Sequence, residues 1–282
     1  MSRRRVIINA DDLGWSAGVT DGILMAHRCG VLTSATLMAN MPDAARAAEL
    51  VAPMASLGVG VHLNACQGPP LSRAGRRLAG RDGQMSFTGT GLVLACLGRP
   101  WLVQAVLEEF AAQIQWALSA GLSPTHLDSH RHVHAFWPLW RGLVRLAREH
   151  GVPFVRWPSE RLPGDGWPAA LPMQARVARL LRAMCWIDGR WGRPLRAAGG
   201  TWGIAHTGAI SADWLCRAAA TLPEGITEIM VHPGLAEGLE GSPTRLVQSR
   251  RRELDALCDP LVARAFEDHS VERVHYGQLQ SN

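Results

Sequence analysis

GVGVHLN, residues 58–64, alternates in character at a period of two. Successive side chains of an extended strand point to opposite faces. Val59, Val61 and Leu63 therefore share one face, and Gly60, His62 and Asn64 the other. In THLDSH, residues 125–130, His126, Asp128 and His130 oppose Thr125, Leu127 and Ser129. In TEIMVH, residues 227–232, Glu228, Met230 and His232 oppose Ile229 and Val231. An apolar face on each strand suits packing against outer helices. The polar face then points into a barrel, with its reactive members near the C-terminal strand ends, where barrel enzymes keep their sites.

Outward from these three runs, short β-like stretches alternate with longer helical ones. The expected strands are Val6–Ala10, Ser34–Ala39, Val59–Leu63, Thr125–Asp128, Phe154–Trp157, Thr201–Ile204, Glu228–Val231 and Val271–His275. Helices are expected over Ala17–Arg28 with Ser16 as cap, Pro42–Val51, Trp101–Ala120, Leu139–His150 before Gly151, Met173–Trp186, Ala212–Ala220, and Pro243–Leu257 with Ser242 as cap. Such alternation predicts an α/β fold with a mainly parallel sheet. No G-x-G-x-x-G follows the first strand, which disfavours an open dinucleotide-binding sheet. The expectation is a TIM-like (β/α) barrel, distorted or incomplete, forming one domain over residues 1–282. Residues 67–98 and 161–200, rich in Gly, Pro and Arg, read as insertions on the active-site side.

Composition narrows the function. With 47% hydrophobic and 19% charged residues, the chain falls among ordinary globular proteins. Its apolar runs fall short of the roughly 20 residues a membrane span needs. The opening MSRRRVIINADD has no signal-peptide pattern, so the expected location is cytoplasmic. Six scattered cysteines without a CxxC spacing read as reduced thiols, not as a zinc site or disulfide frame. All basic side-chain charge is arginine; with no lysine, Schiff-base chemistry is excluded. Arg3–Arg5 and Arg250–Arg252 read as solvated ends of elements, and no nucleic-acid partner is expected.

The first strand, VIINADD, ends in two adjacent aspartates. In a regular strand they would point apart, so both reach one pocket only if the strand breaks, for which Leu13-Gly14 is a suitable place. A carboxylate and two imidazoles from different strands can hold a divalent ion with positions left open for water and substrate. Spacing leaves open which histidines of residues 126–134 are ligands; His132 and His134 fit equally as supporting partners or sugar contacts, and the role of His126 is open.

In order and spacing, NADDLGWS, GVGVHLN, PTHLDSHRHVH and EIMVHPG resemble the YdjC-like carbohydrate deacetylases, which include chitooligosaccharide deacetylases and a hopanoid-biosynthesis deacetylase. The motifs run from residue 9 to 234 and so cover most of the chain. The resemblance implies a distorted barrel binding one divalent cation, magnesium or zinc, and removing an N-acetyl group from an amino sugar on an oligosaccharide or glycolipid. Carried over, it makes Asp12, His62 and His130 metal ligands, Asp11 the general base and His232 the general acid. His232 would have to be cationic, with Glu228 or Asp128 as tuner.

Substrate contacts are expected from Asn64, His132, His134, Arg156, Trp157 and Trp202, with Trp15 and Trp137 as further stacking candidates. Arg156 fits equally as the partner of an acidic neighbour, and most of the tryptophans fit core packing better. The stretch QARVARLLRAMCWIDGRWGRPLR is amphipathic and arginine-bearing, which fits an ordinary barrel helix and also an anionic membrane surface. A homodimer stays open beside a monomer. Two rival functions use the same residues: a two-metal phosphoesterase drawing on Asp128, His132 and His134, and a non-catalytic carbohydrate-binding barrel.

Overall fold

The computed structural model describes residues 3–161, 167, 169–190, 197–240 and 244–281. Its strands are β1 (Arg4–Leu13), β2 (Ser34–Leu37), β3 (Gly58–Leu63), β4 (Gln67–Gly68), β5 (Met85–Ser86), β6 (His126–Ser129), β7 (Phe154–Val155), β8 (Thr201–Trp202), β9 (Gly225–Val231) and β10 (Val271–Arg273). All eight expected strands lie in one parallel sheet, ordered β7-β6-β3-β2-β1-β9-β8, with β10 also on β1. The fold is the expected distorted (β/α) barrel.

The distortion has two sources. One edge of β1 is divided: Arg4–Val6 pair with β10, and Asn9–Leu13 pair with β2. The sheet's ends, β7 and β8, share no ladder among the described residues. That gap is bridged by Thr201, whose N–H donates to the Ser159 carbonyl at 3.3 Å and whose hydroxyl donates to the Trp157 carbonyl at 3.0 Å.

The two-faced strand pattern holds. Val6, Ile8, Val61, Leu63, Leu127, Ile229 and Val231 are fully buried in the shell between sheet and helices. Each contributes on the order of 1.5–3 kcal/mol by leaving water. The opposite faces fill the barrel. At its N-terminal end Ile7, Phe154, Val274, Tyr276 and Leu279 form a plug, and the Tyr276 ring stacks on His126 at 4.1 Å. Gly60 is required there: a Cβ would lie 2.6 Å from the His126 ring and its carbonyl oxygen.

Ser16 caps the helix Ala17–Cys29, accepting from the Val19 N–H at 3.3 Å, which leaves the neighbouring aspartates free of capping. The helix expected from Pro243 runs over Val247–Leu257, and Ser242 and Pro243 lie outside the described residues. Segment 67–98 carries the β4–β5 pair and a helix, Gly89–Gly98, and a further helix covers Pro260–Asp268; the sequence reading named neither helix. Segment 161–200, expected as a second insertion, contains the helix Pro172–Arg190. It packs Ala178 and Leu181 on Ala135, Ile204, Ala205 and Met230, at the C-terminal mouth of the barrel.

Candidate metal centre

β1 builds the centre by breaking its own alternation. Val6, Ile8 and Ala10 join the outer shell, so regular geometry would send Asp12 outward after the inward Asp11. Asp12 instead adopts φ 71°, and the pairing with β2 shifts register between Ala10 and Leu13. Aspartate tolerates this left-handed region better than most side chains. The break thus falls on Asp12 itself, ahead of the expected Leu13-Gly14. Both carboxylates now reach one imidazole: His62 Nε2 is 4.0 Å from Asp11 Oδ2 and 3.6 Å from Asp12 Oδ1.

His62 is oriented from behind. Its Nδ1 lies 2.7 Å from Asp128 Oδ1, and the Thr36 hydroxyl donates to Asp128 Oδ2 at 3.1 Å. An acceptor at Nδ1 aims Nε2 at the aspartates, as ligating histidines require. Burial alone would lower the His62 pKa; Asp128 and Asp11 outweigh it and push it up to about 9. A proton on His62 offsets part of the negative charge of Asp128, Asp11 and Asp12.

His130 arrives from the end of β6, where Arg131 (φ 58°) and His132 (φ 53°) turn the backbone left-handed. Its Nδ1 is 3.4 Å from Asp12 Oδ1, its Nε2 is 3.1 Å from Gln67 Oε1, and Trp15 packs edge-on at 5.5 Å. Asp12, His62 and His130 can each offer a donor atom within 4.8 Å of the others. Asp12 Oδ1 is buried yet has no hydrogen-bond partner. A buried anionic acceptor without a donor, facing two imidazole nitrogens, fits a divalent cation.

The two aspartates are held differently. Burial would raise both, but Asp11 is held well below the usual carboxylate range by Arg156 and His62, and Asp12 by Arg250 and His130. Arg156 grips Asp11 with Nη1 at 2.8 Å and Nη2 at 2.6 Å, reaches Asp128 at 2.7 Å, and donates from Nε to Glu228 at 2.9 Å. Of the two expectations for Arg156, substrate contact or pairing with an acidic neighbour, the pairing is what is seen, with Arg156 fully buried beneath the centre.

Arg250 donates from Nη2 to Asp12 Oδ2 at 2.5 Å, while its Nε and Nη1 have no partner. It belongs to a triplet read as solvated; Arg251 and Arg252 are exposed, but Arg250 is fully buried. A signal was available, because Arg250, Glu253, Leu254 and Leu257 recur at the spacing of one helix face and all four are buried.

His232 is 8% exposed, and its Nδ1 has no partner. Burial lowers its pKa to about 4 against the pull of Asp12 and Asp11, so it is neutral at pH 7. The expected tuner is corrected: Glu228 serves Arg156, Thr201 and Tyr276, and Asp128 serves His62, Thr36 and Arg156. The carboxylate behind His232 is Glu253, which accepts its backbone N–H at 2.6 Å.

Most of the other expected contacts are buried. Asn64 is buried, accepting from the Cys66 and Gln67 N–H groups and donating to Asn40. His134 is buried between the Ser129 hydroxyl and the Arg156 carbonyl. Trp157 packs on Trp140, and Trp202 on Trp167. His132 is 9% exposed with Nδ1 unpartnered, and Trp137 lies exposed beneath Arg141. His126 bonds Asn9 inside the barrel, away from the ligand set.

Comparison with known proteins adds to this geometry. A family model described as YdjC-like protein matches residues 5–268. The chain is 31% identical over 277 residues to a carbohydrate deacetylase of Geobacillus stearothermophilus, covering 98% of both sequences. It is 30% identical to a carbohydrate deacetylase of Vibrio vulnificus strain YJ016, covering 98% of this chain and 96% of that one. A crystal structure from Enterococcus faecalis V583, whose suggested role is cellobiose-phosphate cleavage, matches with a TM-score of 0.76 at 25% identity over 99% of each chain.

Proposed function

The chain belongs to the YdjC-like protein family, and from that premise we propose that it is a metal-dependent carbohydrate deacetylase. Its substrate is an N-acetylated amino sugar, on an oligosaccharide or a glycolipid. The reading rests on one observation above others: Asp12 Oδ1 is buried without a donor, 3.6 Å from His62 Nε2 and 3.4 Å from His130 Nδ1.

Asp12, His62 and His130 would hold one divalent cation, magnesium or zinc, which when bound polarises the acetyl carbonyl and acidifies a water. Asp11 accepts that water's proton. The two-pronged grip of Arg156 keeps Asp11 ionised and fixed, and lowers its proton affinity so that it releases the proton readily. His232 starts neutral, takes up a proton within the cycle and passes it to the amine nitrogen as the C–N bond breaks.

The geometry favours one cation over two. A second possible donor group, Asp11, His62 and Asp128, shares His62 with the first, and Arg156 already contacts both of its carboxylates at 2.6–2.8 Å. This weighs against a two-metal phosphoesterase.

The test is acetate release from N-acetylglucosamine oligomers and N-acetylated glycolipids, with and without chelator, beside phosphate release from phosphorylated sugars. Chelator-sensitive acetate release with one bound metal per chain is expected. His232→Ala should keep its metal and lose turnover by about 10²–10⁴-fold. Phosphate release with two metals per chain, or sugar binding without turnover, would overturn the proposal.

A further inference from the structure

The helix Pro172–Arg190 has one face packed on the barrel mouth and another left in solvent. At 19 residues it is roughly 28 Å long. Met173, Leu180 and Ile187, spaced two turns apart, form a stripe on the solvent side at 66%, 47% and 46% exposure. Arg176 and Arg179 border the stripe, and Arg182 is exposed further round. The helix's one acidic residue, Asp188, is buried, so its solvent face carries no negative charge.

A second helix repeats the pattern. Gly89–Gly98 contains no charged residue, exposes Leu94 and Leu97 at 67% and 60%, and is followed by exposed Arg99 and Trp101. Both helices pack against His130–Ala135, the segment that presents His130, so both flank the barrel mouth. Between the first helix and the end of β7 lies an open cleft of about 380 Å³ lined by Trp157, Ser159, Arg161, Arg182 and Trp186.

We propose that this face docks on an anionic phospholipid bilayer. The apolar stripe and Leu94, Leu97 and Trp101 enter the headgroup boundary, while the arginines meet lipid phosphates, with the cleft taking one headgroup. An apolar face flanked by arginines is the pattern of helices that lie in the membrane interface, and each arginine adds electrostatic attraction to acidic lipid. A second copy of the chain fits less well, since pairing two such helices would bring Arg176, Arg179 and Arg182 against their own kind. Among the described residues no helix is long and apolar enough to cross a membrane. Docking is read without substrate and stands or falls apart from the deacetylase reading.

The experiment is co-sedimentation of the full chain with vesicles of phosphatidylcholine alone or mixed with phosphatidylserine. The protein should pellet with the acidic vesicles, less at raised salt, and stay in solution with pure phosphatidylcholine. The double variants Leu180→Glu/Ile187→Glu and Arg176→Glu/Arg179→Glu should each partition about ten-fold more weakly, with unchanged circular dichroism and unchanged acetate release from a soluble sugar. Equal pelleting of wild type and both variants, or none with acidic vesicles, overturns the proposal. So does a dimer in light scattering that Leu180→Glu/Ile187→Glu converts to monomer, which would assign the stripe to a second copy.

Discussion

Asp11 and Asp12 are neighbours in sequence, each is buried and each is met by an arginine, yet the two halves of the centre differ. On the Asp11 side every charge is answered: Arg156 satisfies Asp11, Asp128 and Glu228 together. On the Asp12 side the account stays open, with Asp12 Oδ1, two nitrogens of Arg250 and His232 Nδ1 all buried and unpartnered. Buried polar atoms are ordinarily satisfied, so their absence of partners marks where a ligand belongs. On the proposed reading the closed half is scaffold and the open half is where the cation would sit.

Removing the two arginines should break this comparison most visibly. Arg156→Leu strands three buried carboxylates and should cost about 3–5 kcal/mol of stability, measured by chemical denaturation. Arg250→Leu strands only Asp12 and should cost less, about 1–3 kcal/mol. Added magnesium or zinc should recover much of the Arg250→Leu loss, because a cation can serve Asp12, and little of the Arg156→Leu loss. Equal costs with no metal rescue would erase the distinction between the halves.

A smaller effect should follow from loosening His62. Asp128→Asn weakens the acceptor behind Nδ1 and should lower metal affinity about 10–100-fold, read by titration calorimetry, with the metal still one per chain. An unchanged affinity would mean that the closed half does not serve the open one.

The last effect is in pH. Burial holds His126, His132, His134 and His232 well below the ordinary histidine value, the last two at about 3 and about 4. Between about pH 6 and 5 all four gain protons on unfolding, which favours the unfolded chain as pH falls. Burial raises Glu160 and Glu253 to about 7, so these two hold protons when folded and release them on unfolding, with the opposite effect. His130 and His275 are lowered as well, and Asp188 and Glu228 are raised, so six imidazoles stand against four carboxyls. The protein should lose stability on acidification, by roughly 1.4 kcal/mol per pH unit for each imidazole left uncompensated. A flat or rising denaturation midpoint across that window would contradict the burial of these histidines.

How much of this was legible in the sequence follows from how local each cause is. The strands and their two faces were readable because a period of two is written in consecutive residues, as in GVGVHLN. The convergence of Asp12, His62 and His130 followed from strand faces and from the family resemblance. Arg156 was read two ways, toward substrate or toward an acidic neighbour, because its residue type does not say which; the second holds, with three carboxylates from other strands. Arg250 was missed for a similar reason: its partner is 238 positions away. The neutral resting state of His232 was not legible because burial, which sequence does not display, outweighs nearby carboxylates.

The left-handed turn at Asp12 also separates shape from charge. A valine or leucine there would oppose the backbone, whereas asparagine is among the few residues that accept φ near 71° and matches aspartate in outline. An Asp12→Asn chain should therefore keep its bend while surrendering its negative charge. Whatever it loses can be charged to electrostatics and not to a collapsed scaffold.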